Sequence, residues 1–190
     1  LTIKKMKNRL IITILFIFLL LDSDCSTAGY LIRIDKSDNS LLILNKGKTI
    51  KTYKVAIGRG GKGDKKQRGD KKTPTGNYFV TGFNENSKFD FFIRLNYPNI
   101  KDAYYGYRRR LISQLEFKTI VEAVRNSNPP PQNTKLGGAI GIHGIGQENP
   151  RKLLIHRNID WTDGCIALRN FEAVELKNFI NIGTRVIISE

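Results

Sequence analysis

The sequence predicts a mainly β domain, built as a barrel or sandwich with mixed strands, with one inserted helix and one helix near its carboxyl end. Short apolar runs separated by turn residues dominate the first half of the chain, and this pattern is typical of antiparallel strands. Helical patterns come late, and strands do not alternate with helices as they would in a βαβ fold. The order of the elements therefore favours a β architecture over a parallel α/β sheet.

The first 28 residues have the features of a secretory leader. Four basic residues precede the twelve-residue apolar run Leu10 to Leu21, and Ser26-Thr27-Ala28 resembles a small-residue cleavage site. The run is shorter than the roughly twenty residues of a membrane-spanning helix. We expect a signal peptide at 1–28, a domain at 29–190 and export to the periplasm or cell envelope, with membrane contact only through the leader. A retained anchor and lipidation at Cys25 are the alternatives.

The chain is strongly basic, with a formal net charge of +15. The leader carries four basic and two acidic residues, so the remainder carries +13. In an exported protein this charge favours polyanionic surroundings, such as cell-wall polymers or lipid headgroups, over nucleic acid. The glycine- and lysine-rich segment 58–72 is predicted to be an exposed loop that attracts anionic envelope polymers without doing chemistry. A purely solubilising role for the lysines is the alternative.

Apolar runs predict seven strands, and one apolar stripe predicts the inserted helix. The strands are predicted at 30–34, 41–44, 49–57, 78–81, 89–95, 139–142 and 185–189. The stripe consists of Phe117, Ile120, Val121 and Val124, and the helix is expected to end before Asn128. A second helix is predicted after the last cysteine, with Asn170 as its N-cap.

Cys165 is the only cysteine outside the leader, and it stands between Gly164 and an apolar run. This setting indicates a turn that delivers the thiol to the mouth of a strand. A thiol acts as a nucleophile when a base removes its proton, and His143, which follows an apolar strand and precedes Gly144, is the candidate base. His156 is a competing candidate for the base, but it does not lie between a strand and a glycine. The non-catalytic alternative is a buried structural thiol and a histidine whose hydrogen bonds are made within the protein. The histidines and the cysteine lack the spacing of a zinc site, so we expect no metal and no cofactor.

Three separated motifs resemble the L,D-transpeptidase catalytic domain family, also called YkuD-like. They are Gly69-Asp70-Lys71-Lys72-Thr73-Pro74-Thr75-Gly76-Asn77-Tyr78, Ile142-His143-Gly144 and Thr162-Asp163-Gly164-Cys165-Ile166. The resemblance covers nearly all of the chain after the leader, and the stretch from Trp161 resembles the Trp-Thr-Asp-Gly-Cys branch of the family. It implies the YkuD-like β-barrel or sandwich fold.

The resemblance also implies a thiol acyltransferase that acts on peptidoglycan stem peptides. By this comparison, Cys165 attacks the carbonyl of the L-centre of the diamino acid at position three, expels the terminal D-alanine and leaves a thioester, which an amine of a neighbouring stem resolves. His143 is then the base, and the carbonyl of Gly144 orients its imidazole. The backbone N–H groups of Gly164 and Cys165 help form the oxyanion hole, in the turn that begins at Asp163.

The chain departs from the commonest family pattern in its cysteine motif. Many members carry Ser-His-Gly-Cys and an arginine two positions after the cysteine, where this chain has Ala167. Arg169, Trp161 and Tyr78 are the residues we expect to contact substrate instead. A hydrolytic carboxypeptidase or endopeptidase on the same bond and a non-enzymatic wall-binding domain stay open. A papain-like hydrolase is disfavoured because the histidine here precedes the cysteine.

Overall fold

Residues 29–190, the part of the chain that this computed structural model describes, form one eight-stranded mixed sheet and four α-helices. The predicted signal peptide and its cleavage site lie outside the described residues. Within those residues, no helix is long and apolar enough to cross a membrane.

The strands and helices are named here in chain order. The strands are β1 (Tyr30–Asp35), β2 (Ser40–Asn45), β3 (Lys48–Lys54), β4 (Gly76–Ser87), β5 (Asp90–Leu95), β6 (Gly141–His143), β7 (Ile166–Ala167) and β8 (Arg185–Ser189). The helices are α1 (Ile100–Arg108), α2 (Gln114–Arg125), α3 (Pro150–Asn158) and α4 (Asn170–Glu175), and α4 continues into the 3₁₀ turn Leu176–Asn178.

The sheet has the strand order β3-β2-β1-β8-β4-β5-β6-β7, so the last strand of the chain lies in its middle. The pairs β1/β8 and β6/β7 are parallel, and the remaining neighbours are antiparallel. Just after β3, Ala56 exchanges two backbone hydrogen bonds of 3.1 and 2.8 Å with Ala167 of β7. Because β3 and β7 are the two ends of the strand order, this contact joins the edges in the manner of a barrel. The predicted mainly β fold with mixed strands is confirmed.

Alternation along the strands builds the main core. In β1, Ile32 and Ile34 are fully buried while Arg33 between them is exposed, and in the parallel neighbour β8 their partners Val186 and Ile188 are buried in the same way. A period of two is what a strand with one core-facing side requires. The same pattern places Ile142 of β6 and Ile166 of β7 on the core side, with no exposed area.

The segment between β5 and β6 contains two helices rather than the single inserted helix predicted. The predicted apolar stripe lies on α2, which confirms that helix. α1 was missed because its buried residues are Asp102, Ala103 and Gly106, one charged residue and two small ones, which give no apolar periodicity. A Cβ added to Gly106 would lie 2.6 Å from Leu136 Cδ2, so glycine lets α1 approach the chain that leads into β6.

The carboxyl-terminal half also differs from the prediction. α3 was not predicted because His156 is its only buried residue, although Asn149 as N-cap and Pro150 at the first position mark its start. The sequence predicted Asn170 as the N-cap of α4, but the N-cap is Arg169. The N–H of Arg169 donates to a carboxylate oxygen of Glu172 at 3.0 Å, which starts the helix one residue earlier.

Candidate active site

The register of β6 and β7 brings the two candidate catalytic residues together. The strands run parallel with Ile142 beside Ile166 and His143 beside Ala167, and the same register sets Gly141 beside Cys165. Because side chains alternate, His143 and Cys165 lie on one face, opposite the buried Ile142 and Ile166. A strand spacing of about 4.8 Å and a rise of about 3.3 Å per residue put their Cα atoms about 8 Å apart. That separation is within reach of two facing side chains.

His143 is held in one tautomer. Its Nδ1 lies 2.6 Å from the carbonyl oxygen of Gly144, which accepts a hydrogen bond, so Nε2 is left with the lone pair. The imidazole is buried, with 1% of its surface exposed. Burial lowers the pKa of His143 to about 4, and the Gly144 carbonyl only partly offsets this shift. The ring is therefore neutral at pH 7 and able to accept a proton.

Aromatic rings produce the burial of His143. The ring of Phe89 stacks on the imidazole at a centroid distance of 4.2 Å, and that of Phe92 lies parallel to it at 5.9 Å. Trp161 meets it edge-on at 6.0 Å. These rings cover the imidazole and shield it from solvent. The hydrogen bond of its Nδ1 goes to a backbone carbonyl oxygen and not to a carboxylate.

The thiol of Cys165 is protonated in this arrangement. Its Sγ donates to the carbonyl oxygen of Ala139 at 3.3 Å, and Ala139 has a φ of 54°, which is uncommon for a residue with a Cβ. Burial raises the pKa of Cys165 to about 11, and the N–H of Gly141 and the charge of Lys65 act in the opposite direction. A neutral thiol and a neutral imidazole therefore lie on the same face of the sheet. For Cys165 to act as a nucleophile, its proton must first be transferred to a base.

Thr162 fixes the turn that carries the thiol. Its buried Oγ1 accepts from the N–H of Gly164 at 3.1 Å and donates to the carbonyl of Cys165 at 2.7 Å. The N–H of Gly164 thus already has a hydrogen-bond partner within the turn. Gly164 has a φ of 129°, and an added Cβ would lie 2.8 Å from the carbonyl oxygen of Lys72, so the turn packs closely on segment 58–72. The side chain of Asp163 is exposed and pairs with Arg59 at 2.9 Å.

The Gly69–Tyr78 motif packs against this turn and supports it. The carboxylate of Asp70 accepts three backbone N–H groups of its own loop and the ammonium of Lys65. Thr73 Oγ1 accepts from Gly58 N at 2.8 Å and lies 3.5 Å from the carbonyl oxygen of Cys165. The prediction of an exposed loop is therefore wrong for Lys65, which is 6% exposed, because it neutralises the carboxylate that folds the loop.

The three residues predicted to contact substrate have different surroundings. Trp161 belongs to the site, and its Nε1 also donates to Nδ1 of His156 at 3.4 Å. Arg169 lies beside α3, where its guanidinium is 3.8 Å from Glu148 and stacks over Phe171. The prediction for Tyr78 is wrong, because its ring is in the core with 1% exposed and its hydroxyl donates to a buried carboxylate at 3.0 Å.

The competing histidine, His156, lies behind Trp161 as seen from His143. Its Nδ1 is engaged by the indole N–H, and burial together with the charge of Arg169 lowers its pKa. His143, which shares its sheet face with Cys165, is the better placed candidate for the base.

Asn170 is a site residue that the sequence did not reveal. Its Oδ1 accepts from the N–H of Gly146 at 3.0 Å and its Nδ2 donates to the carbonyl of Gly146 at 2.6 Å. A Cβ added to Gly144 would lie 2.5 Å from the same Oδ1. Asn170 therefore clamps the loop whose carbonyl orients His143. The sequence offered only its position at a helix start, which was interpreted as capping.

The described residues contain no group of three or more His, Cys, Asp or Glu side chains arranged to hold a metal ion.

The chain was compared with protein-family profiles and with curated protein sequences. A family profile described as the L,D-transpeptidase catalytic domain, YkuD, matches residues 29–188. A sequence comparison with curated proteins found no significant match.

Solved structures share the fold. The helical cell shape determining protein Pgp2 from Campylobacter jejuni superposes with a TM-score of 0.53 at 24% identity, covering 85% of this chain and 48% of that one. Bd1075 from Bdellovibrio bacteriovorus gives 0.52 at 23% identity, over 85% and 48%. An L,D-transpeptidase from Mycobacterium smegmatis gives 0.50 at 12% identity, over 86% and 59%. This chain thus spans about half to three fifths of the length of these structures. With the family profile covering nearly all of the described residues, the chain belongs to the L,D-transpeptidase catalytic domain (YkuD) family.

Proposed function

We propose that this chain is an L,D-transpeptidase that acts on peptidoglycan stem peptides through a thioester on Cys165 and transfers the acyl group to an amine. Membership of the family supports the reaction class. The observation that carries the proposal is the parallel β6/β7 register, which puts the thiol and a neutral, tautomer-fixed imidazole on one sheet face.

In the acylation step, the thiol leaves the Ala139 carbonyl and passes its proton to Nε2 of His143. Sγ attacks the carbonyl carbon of the diamino acid, and a tetrahedral oxyanion forms. The C–N bond to D-alanine then breaks, the imidazolium returns its proton to the leaving amine, and a thioester remains. Because His143 is neutral at rest, its Nε2 can take the thiol proton, and the imidazolium so formed can donate to the leaving amine.

In the second step, an amine of an acceptor stem attacks the thioester carbonyl. His143 takes the proton of that amine, the C–S bond breaks, and Cys165 recovers the proton. The N–H of Gly141, which favours the charged form of Cys165, stabilises the sulfur as it leaves. With the N–H of Gly164 bound to Thr162, we assign the oxyanion contact in this turn to the N–H of Cys165.

Release of free D-alanine from a disaccharide tetrapeptide tests the proposal. Residues 29–190 should release D-alanine, and an added amine acceptor should appear in the product in place of water. Cys165→Ala should release none. Tripeptide as the only product in the presence of an excess of amine would favour the hydrolytic alternative, and no release by a folded protein would favour a binding domain.

We further propose that the protein works in the cell envelope and that its basic surface attracts anionic envelope polymers. Lys62 and Lys71 are exposed on the 58–72 loop. Changing both to Gln should weaken sacculus binding at low salt, with the difference fading toward physiological salt, where the Debye length is about 8 Å. Turnover of small muropeptides should not change, and an equal loss of both properties would contradict a purely electrostatic role.

A further inference from the structure

The turn between β4 and β5 lies beside the proposed base, and no step of the acyl transfer above uses it. This turn consists of Lys88 and Phe89. A Cβ added to Gly144 would lie 2.6 Å from the carbonyl oxygen of Phe89, and one added to Gly146 would overlap the carbonyl oxygen of Lys88. The hydroxyl of Ser87 accepts from the N–H of Phe89 at 3.2 Å. The place of Phe89 is thus set by contacts of its own backbone and of its neighbour.

Phe89 covers an imidazole that the sheet itself leaves open. His143 lies on the sheet face opposite the core, and its neighbour on that face of β7 is the small Ala167. Only 1% of the surface of His143 is nevertheless exposed. The ring of Phe89 lies over the imidazole at a centroid distance of 4.2 Å and an interplanar angle of 22°, whereas the rings of Phe92 and Trp161 are at 5.9 and 6.0 Å. Phe89 is therefore the closest cover of the imidazole.

The Phe89 ring also lies at the boundary with solvent. Phe89 is half-buried, and its neighbours Lys88 and Asp90 are exposed. The ammonium of Lys88 is 5.0 Å from the ring centroid of Phe89. Truncation of Phe89 would therefore open a path for water to His143, because the next rings lie farther from the imidazole.

Amine and water depend on the base to different degrees when they resolve the thioester. The lone pair of a neutral amine forms the C–N bond directly, and the nitrogen then gives its proton to Nε2 of His143. Water is a weak nucleophile and has to give a proton to Nε2 while the C–O bond forms. In both reactions the C–S bond then breaks and the sulfur of Cys165 recovers the proton. Keeping water away from Nε2 therefore slows hydrolysis more than it slows transfer.

We propose that Phe89 is a specificity-determining residue, which excludes water from His143 and thereby favours an amine over water as the acceptor of the acyl group. This inference rests on the proposed function. An acceptor stem fills the space in which it binds and brings its amine to the thioester. Water needs only a gap beside the imidazole, and the Phe89 ring closes that gap.

The partition of the acyl-enzyme between its two products tests the proposal. A tetrapeptide donor is incubated with a fixed excess of amine at pH 8, and the ratio of transfer product to tripeptide is measured. Phe89→Ala should lower this ratio at least about tenfold, a small part of the factor of about 10² to 10⁴ that a positioned base contributes. Burial lowers the pKa of His143 to about 4 from an ordinary value of 6.5, so the imidazole is neutral at pH 8 with or without the cover.

Matched variants identify the cause of the change. Phe89→Leu keeps a large apolar side chain and should keep most of the parent ratio. Phe83→Ala removes a ring of the same hairpin that is 41% exposed and stacks on Phe91, and it should leave the ratio unchanged. Phe89→Val replaces Phe89→Ala if the latter does not fold. An unchanged ratio in the folded truncation, an equally low ratio in Phe89→Leu, or an equal fall in Phe83→Ala would overturn the proposal.

The lifetime of the thioester without amine separates this inference from the proposed function. Intact-mass measurement after a single acylation should show hydrolysis of the adduct at least about tenfold faster in Phe89→Ala than in the parent. Tripeptide as the only product of the parent in excess amine would refute transfer, while faster hydrolysis in Phe89→Ala would still support the exclusion of water. Equal lifetimes and equal ratios, with amine transfer by the parent, would refute the role of Phe89 and leave the proposed function standing.

Discussion

At the scale of single residues, the proposed catalytic pair, His143 and Cys165, depends on neighbours that hold it in place. The hydrogen bond to the Gly144 carbonyl orients the neutral imidazole of His143. The loop that carries this carbonyl is held by two hydrogen bonds from the Asn170 side chain to the backbone of Gly146. Catalytic geometry is sensitive to such support, since a displacement of about 1 Å can cost about a hundredfold in rate. We therefore regard Asn170 as a positioning residue that acts through His143.

Asn170→Asp is expected to slow acylation by about ten- to a hundredfold. The carboxylate keeps the acceptor for the Gly146 N–H but loses the donor to the Gly146 carbonyl, and two oxygens then face each other. Single-turnover kinetics give the rate, and the NMR shifts of the His143 imidazole report its orientation. Asn178→Asp, the same change at an exposed position, is the control. Normal kinetics and normal imidazole shifts in Asn170→Asp would show that the clamp has no positioning role.

At the scale of elements, sequence patterns predicted the strands and helices with a periodic apolar face. They missed the features that depend on two parts of the chain packing closely. The strands and α2 follow apolar periodicity and were predicted. His143 and Cys165 became the candidate pair because each stands between an apolar strand and a glycine. α1 was missed because a charged residue and two small ones form its buried face. The hydrogen-bond partner of the Gly164 N–H was missed because this contact depends on the turn closing on Thr162. The first contact joins α1 to a residue far away in the sequence, and the second depends on the local geometry of a turn, so apolar periodicity reveals neither.

The packing of α1 gives a prediction. Gly106→Val should destabilise the protein by about 1 to 3 kcal/mol, because the added atoms overlap Leu136. Gly82→Ala is the control, since a Cβ there meets nothing within 4 Å. Urea denaturation measures both. A Gly106→Val protein as stable as the parent would mean that α1 does not pack as described.

At the scale of the whole molecule, two buried groups give stability opposite dependences on pH. His143 has a pKa of about 4 against an ordinary value of 6.5, so its contribution is complete above pH 6.5 and is lost as the pH falls toward 4. Burial raises the pKa of Asp102 from 3.8 to about 6, so its contribution is complete below pH 3.8 and is lost as the pH rises through 6. Each shift corresponds to about 3 kcal/mol at most, and the two largely cancel between pH 4 and 6.5.

Removing either group should expose the dependence of the other. Between pH 6.5 and 4.5, Asp102→Asn should lose more stability than the parent protein as the pH falls, and His143→Gln should lose less or gain. Urea denaturation at the two pH values measures the difference. Identical pH slopes in the parent and in both variants would contradict the opposed titrations.

The formation of the acyl-enzyme tests the central claim most directly, which is that Cys165 becomes the thioester and His143 is its base. Intact-mass measurement after rapid mixing with a muropeptide donor or a carbapenem follows the adduct in time. We predict an adduct in the parent, none in Cys165→Ala, a rate lower by about 10² to 10⁴ in His143→Ala, and a much smaller effect in His156→Ala. An adduct that persists in folded Cys165→Ala, or a greater loss in His156→Ala than in His143→Ala, would contradict the account.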